Sequence, residues 1–133
     1  PIIASTVLPL GATINMDGTA LYVGIVSVFA AQAFGIDLVF SDYVLIAGST
    51  TLVSIGTASV PGASLFLIAA VTQTIGMSPE QTAIVIGFIL PFDRPLDMLR
   101  TAVNIGGDLS VSTAVANWEN EFDKDIFERP IKF

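Results

Sequence analysis

Apolar residues fill the chain from Pro1 to Leu90 so evenly that the informative positions are the interruptions. From Pro1 to about Phe34 the main break is Asn15-Met16-Asp17-Gly18-Thr19. An Asp beside a Gly continues a bilayer helix poorly, and is tolerated where freed backbone groups line a cavity or coordinate something. The pattern predicts two half-helices over residues 1–34, joined by an unwound pentapeptide near mid-membrane. An ordinary Asx turn between two short soluble helices is the lesser alternative. Gly35 to Asp42 reads as a loop.

Tyr43 to Ile55 makes about 20 Å of helix, too short for a hydrocarbon core of about 30 Å. The small residues Gly56 to Ser64 follow, with a Pro61-Gly62 turn signal, and Leu65 to Ile75 is a second short apolar run. Two half-length arms around such a tip predict a re-entrant hairpin over residues 43–76, its tip buried or facing a cavity. The lack of charge on either arm argues against a soluble helical hairpin.

Gly76 to Pro79 is a loop in which Ser78 is placed to cap the next helix, with Gln81 as its capping-box partner. A long helix is predicted over residues 79–118, bent near Pro91 and Pro95. Within it Asp93, Asp97, Arg100, Asn104 and Asp108 recur every three or four residues. At about 100° per residue they share an arc of about 80°, with Leu96, Leu99 and Val103 on the opposite face and Arg94 off the stripe.

Composition decides what this stripe means. The chain has 133 residues, 53% of them hydrophobic and 13% charged, and its mean hydropathy is +0.77. No Lys or Arg precedes Arg94. That is a membrane composition, which opposes a solvated surface face and favours a cavity or ion path. Carboxylates outnumber the one guanidinium on the stripe, so a dry site is unstable unless cations join it. A cation-dependent binding site within a membrane is the first expectation.

The net charge of -7 arises mostly from the stripe and tail, so no nucleic-acid partner is expected. Without Cys there is no disulfide framework or thiolate metal site, and without His most zinc sites and histidine catalysis are excluded. Pro1 is neither an initiator Met nor followed by a basic segment, so the chain reads as a piece of a longer protein. Residues 119–133 form a charged tail whose Lys124, Arg129 and Lys132 place it on the cytoplasmic side.

Broken helices converging at the midplane are a device of secondary transporters. Three motifs make the comparison specific: Asn15 to Thr19, Ser54 to Ala63, and Asp97-x-x-Arg100-Thr101-x-x-Asn104-x-x-Gly107-Asp108. In this order they are similar to the sodium-coupled glutamate/aspartate transporter family, the dicarboxylate/amino acid:cation symporters. The resemblance covers nearly all of residues 1–118. In that family the motifs belong to the seventh helix, the second re-entrant hairpin and the eighth helix of the moving transport domain.

The resemblance implies an all-α integral membrane protein, multi-pass in the cell membrane, with residues 1–118 as the C-terminal half of the transport domain. It implies elevator-type symport of an acidic amino acid with sodium, the hairpin serving as extracellular gate. Arg100 would hold the substrate's side-chain carboxylate and Asp97 its ammonium group, with Asn104, Thr101 and Thr19 adding polar contacts. Backbone around Val60 and Gly62 would close over the ligand. One sodium would lie between Asp108, Asn104 and the carbonyls of Gly11 and Asn15. A second would use carbonyls of Thr13, Ser54, Ile55 and Thr57 near the Met16 sulfur, and a third Asp17 and Asn15. Sodium is cargo here, not a prosthetic group. The implied partners are the lipid bilayer, a scaffold and first hairpin from the rest of the protein, and the other copies of a homotrimer.

Ser59 and Ser64 stand at tip positions where Gly is expected, and Pro95 is unusual beside the site; these departures bear on closure, substrate size and helix bending. A proton-coupled dicarboxylate or amino-acid symporter is the alternative. Two further rivals are an ion-conducting membrane module and an intramembrane aspartyl protease. Such proteases carry Gly-x-Gly-Asp, whereas Ile105, Gly106 and Gly107 precede Asp108 and no Tyr precedes Asp17.

Overall fold

The structure, a computed structural model, describes residues 2–130, and Lys132 of the basic tail set lies outside them. The described residues are all-helical, without strands. Helices α1 (Ile2–Ile14) and α2 (Asp17–Ala33) form the expected broken pair. Taken through the break, Ile2–Ala33 is the described stretch long and apolar enough to cross a membrane.

The break is shorter than the sequence pattern suggests. Only Asn15 and Met16 leave the helical path, because Asp17 through Thr19 already form the first turn of α2. A carboxylate at that position suits the positive end of a helix. The Gly18 N–H, which has no intrahelical acceptor there, donates to Asn104 Oδ1 at 2.8 Å.

Helix α3 (Phe40–Ile55) starts inside the segment expected as loop, because the Asp42 carboxylate accepts the Val39 N–H at 2.9 Å and holds the first turn. Helix α4 (Ala63–Thr74) follows the small-residue segment after a left-handed turn at Gly62, φ 80°, a conformation that glycine adopts without steric cost. The two arms pack on each other, and both pack on α2.

Helix α5 (Pro79–Ile89) begins with the anticipated reciprocal cap. Ser78 Oγ accepts the Gln81 N–H at 3.2 Å, and Gln81 Oε1 accepts the Ser78 N–H at 2.9 Å. The expected bend is resolved into a short 3-10 turn, Leu90–Phe92, that contains Pro91. Helix α6 (Asp93–Trp118) then runs uninterrupted. Pro95 sits in its first turn, where a missing N–H disturbs little, so it opens this helix rather than bending it. A last short helix, α7 (Lys124–Phe127), is capped by Asp123, which accepts the Ile126 N–H at 3.0 Å.

Val23, Ala30, Ile46, Ile68, Val71, Met77, Val85 and Ile89 bring α2 to α5 into one apolar core. Helix α6 is packed the other way round. Its Asp93, Arg100 and Asp108 are buried against α1 and α2, whereas Leu99 is 65% and Val103 50% exposed. Such inverted polarity leaves a broad apolar exterior, the arrangement of a chain covered by lipid or by other protein segments.

Candidate functional site

The polar stripe of α6 faces a cavity of about 300 Å³, near the lower bound for small-molecule sites. Ala12, Asn15 and Met16 approach it from the helix break, and Thr19 from the first turn of α2. The segment between the hairpin arms covers it with Thr57 to Pro61, and α4 adds Ala63 and Ser64. Asp97, Arg100, Thr101, Asn104, Ile105 and Asp108 complete the α6 wall.

Arg100 is 5% exposed and sits among three partners. Its Nη2 donates to Asp97 Oδ1 at 2.7 Å and to Asp93 Oδ1 at 3.4 Å. Its guanidinium lies 4.2 Å from the centroid of the Tyr22 ring, a flat π-face suited to a planar cation. Sequence spacing explains the set: residues three and seven positions before Arg100 share its helix face. Separate roles for Arg100 and Asp97 follow from the resemblance, yet here they are paired with each other. A guanidinium this buried would be costly without a carboxylate beside it.

A second cluster joins α6 to the helix break. Asn15 Nδ2 donates to Asp108 Oδ1 at 2.8 Å and to the Asn104 carbonyl at 3.1 Å. Asn104 Nδ2 approaches the Met16 sulfur at 3.3 Å. A methyl group on Gly107 would fall 2.5 Å from Asn15 Nδ2 and 2.6 Å from Asp17 Oδ2, so a larger residue would displace both side chains from the break. At Gly18 a Cβ would meet the Arg100 backbone carbonyl at 2.6 Å, so that close approach of α2 to α6 requires glycine. Carboxylate, amide, carbonyl and thioether groups of this kind suit a weakly bound monovalent cation better than a transition metal. Among the described residues no group of three or more His, Cys, Asp or Glu side chains is placed to hold a metal ion.

Of the residues expected to bind substrate, Arg100, Asp97, Thr101, Asn104, Thr19 and Val60 line the cavity. Gly62 does not, and supplies the turn behind it. Of those expected around cations, Asn15, Met16, Thr57, Asn104 and Asp108 line it, whereas Gly11, Thr13, Asp17, Ser54 and Ile55 do not. Gly11 abuts the Asp108 carboxylate from a neighbouring cavity of about 280 Å³. The Thr13 hydroxyl bonds back to the Pro9 carbonyl at 3.0 Å and the Ser54 hydroxyl to Thr51 at 2.9 Å. The Ser54 carbonyl itself accepts the Thr57 N–H at 3.2 Å.

Three contributors were not assigned from the sequence. Asp93 lay on the stripe but had no role. Tyr22 carries no polar periodicity that would distinguish it from its apolar neighbours. Ser59, a departure from Gly in the sequence pattern, donates through its Oγ to the Ala12 carbonyl at 2.7 Å. In a continuous helix that carbonyl would accept the Met16 N–H, so breaking the helix supplies the acceptor that holds the hairpin tip.

The sequence profile of the sodium:dicarboxylate symporter family matches residues 1–118. The chain is 38% identical over 122 residues to the proton/glutamate-aspartate symporter of Escherichia coli (strain K12), covering 92% of this chain and 27% of that protein. It is 38% identical over 121 residues to the proton/sodium-glutamate symport protein of Bacillus subtilis (strain 168), covering 91% and 27%. To an excitatory amino acid transporter of Caenorhabditis elegans it is 37% identical over 123 residues, covering 92% and 24%. The chain therefore spans about a quarter of the length of the curated relatives it matches.

Proposed function

Because the chain belongs to the sodium:dicarboxylate symporter family, we propose that it is the C-terminal half of a transport domain that carries an acidic amino acid across the cell membrane together with sodium ions. The family and these relatives are transporters rather than enzymes, which removes the protease alternative. The observation that carries the proposal is the buried Arg100, placed between carboxylates on the wall of the cavity that the hairpin segment borders.

In this reading the substrate exchanges partners with the site. Its side-chain carboxylate takes the place of Asp97 at the Arg100 guanidinium, a group whose planar fork suits carboxylates. Asp97, freed, receives the ammonium group, and Thr19, Thr101 and Asn104 take the remaining polar atoms. Asp93 and the Tyr22 ring keep Arg100 in place during the exchange, since neither needs to move. Sodium ions enter beside Asp108, Asn104, Asn15 and the Gly11 carbonyl, beside Met16 with carbonyls of Thr13, Ser54, Ile55 and Thr57, and beside Asp17 with Asn15.

The hairpin over residues 43–76 is the gate, and a multi-pass protein with scaffold, first hairpin and trimeric assembly supplies its surroundings. The tail over residues 119–133 lies in the cytoplasm. Small residues at the tip give few packing contacts and hence low local stability. Spin labels placed across the full-length protein, one at the tip and one on α6, should show a short distance only when sodium and aspartate are both present. A tip distance unchanged across these conditions would remove the gate from the proposal.

The decisive assay is aspartate binding to the full-length protein with and without sodium. Binding that needs sodium supports the proposal, whereas no binding in either case sinks it. Proton coupling is the second reading, because the relative from Escherichia coli is named a proton symporter. Affinity that ignores sodium but follows pH would favour it.

A further inference from the structure

Among the described residues, three buried side-chain polar atoms have no hydrogen-bond partner: Arg100 Nη1, Ser64 Oγ and Tyr22 Oη. Buried polar groups of this kind are rare and call for an explanation. Two of their residues, Arg100 and Ser64, line the same cavity. They reach it from two different helices, Arg100 from α6 and Ser64 from the first turn of α4. Both can donate a hydrogen bond, Arg100 only so.

The surroundings of Ser64 favour a negatively charged occupant. The residue is 3% exposed, so its hydroxyl is not satisfied by solvent outside the cavity. Most Ser and Thr hydroxyls in these helices return to a carbonyl three or four residues earlier, as Thr51, Ser54 and Thr72 do. Ser64 does not. It lies too close to the start of α4 for such a carbonyl to sit beneath it in helical geometry. The α4 N-terminus follows Gly62, which has no side chain to cap it, so the positive end of the helix favours an anion there.

We infer that Ser64 donates a hydrogen bond to the same substrate carboxylate that Arg100 binds, making it a specificity residue on the gate itself. This rests on the symporter reading above and adds a residue to it. The hydroxyl has a further consequence. Because Ser64 belongs to the hairpin and Arg100 to α6, one carboxylate would join the two elements.

The test uses the full-length protein and two variants, Ser64→Ala and Ser64→Thr. Loss of one hydrogen bond to a charged group should weaken aspartate about ten-fold or more in Ser64→Ala at saturating sodium, and Ser64→Thr, which keeps the hydroxyl, should recover most of it. Sodium affinity measured without aspartate should stay within about two-fold, since a group that touches only the substrate does not act on the cations alone. If aspartate and sodium affinities fall together in Ser64→Ala, the residue acts through hairpin packing and the inference is overturned. Aspartate affinity unchanged in Ser64→Ala overturns it too, while sodium-dependent binding by the unmodified protein leaves the symporter reading standing. If the unmodified protein binds no aspartate, both fail together.

Discussion

Arg100→Ala in the full-length protein should lower affinity for aspartate by about 3 kcal/mol or more, over a hundred-fold, because it leaves a ligand carboxylate buried without its partner. The effect is large because the group cannot be replaced by water. Arg100 is almost fully enclosed, held by Asp97 at 2.7 Å and stacked on Tyr22. Removing it also strands Asp93 and Asp97, so the empty cavity becomes more acidic and repels a second carboxylate. Neutral amino acids carry only the ammonium and one carboxylate, so their affinity should fall less, or rise, and selectivity should shift toward them. Arg100→Lys should not restore the native protein, since a point charge reproduces neither the fork nor the stacking. The complementary variant is Asp97→Ala, which should impair amino acids more than dicarboxylates without an ammonium. Competition binding with aspartate, alanine and succinate reads both effects. Succinate binding to the unmodified protein as tightly as aspartate would mean that Asp97 holds no ammonium.

The stripe on α6 was legible from spacing alone, because a helix forces residues three and four apart onto one face whatever surrounds it. That this face points inward followed from composition, since the flanks offer no solvent-compatible alternative, and Asp93, Arg100 and Asp108 are buried accordingly. The position of the helix break was equally readable, but its length was not. Asp17 and Gly18 are poor helix residues in hydrocarbon and acceptable ones at an N-terminus, and only the Asn104 side chain on a distant helix decides which applies. The pairing of Arg100 with Asp97 was in the spacing, though a resemblance that assigns each a ligand group of its own obscures it. Tyr22 stayed invisible because a ring that stacks on a guanidinium looks, in sequence, like any apolar residue of α2. Ser59 and Ser64 were visible as departures from Gly, but the partner that Ser59 finds and the lack of one at Ser64 depend on where the tip lands, which no local rule specifies.

Sodium should set substrate affinity, and Asp108→Asn should break that dependence. Asp97 pairs with Arg100, while Asp17 and Asp108 stand beside Gly107 and Asn15 at the helix break, three carboxylates against one guanidinium. An acidic amino acid adds about one more negative charge at neutral pH. A site with that excess should not close in a desolvated state unless roughly two or three monovalent cations enter with the substrate. By linkage, sodium then tightens substrate and substrate tightens sodium by the same factor, commonly about 5–150-fold. Asparagine at position 108 is a clean probe. It keeps an Oδ1 that can accept the Asn15 Nδ2 proton, now at 2.8 Å, so the contact between α6 and the helix break survives. What disappears is one negative charge at a position that does not carry the substrate contacts. Sodium affinity should therefore fall first, and aspartate affinity should follow only because fewer cations are bound at a given sodium concentration. Plotted as log affinity against log sodium concentration, the native protein should give a steep slope and Asp108→Asn a shallower one, the two converging as sodium approaches saturation. A variant that loses aspartate affinity equally at all sodium concentrations would show that Asp108 contacts the substrate, and an unchanged slope would show that this carboxylate holds no cation.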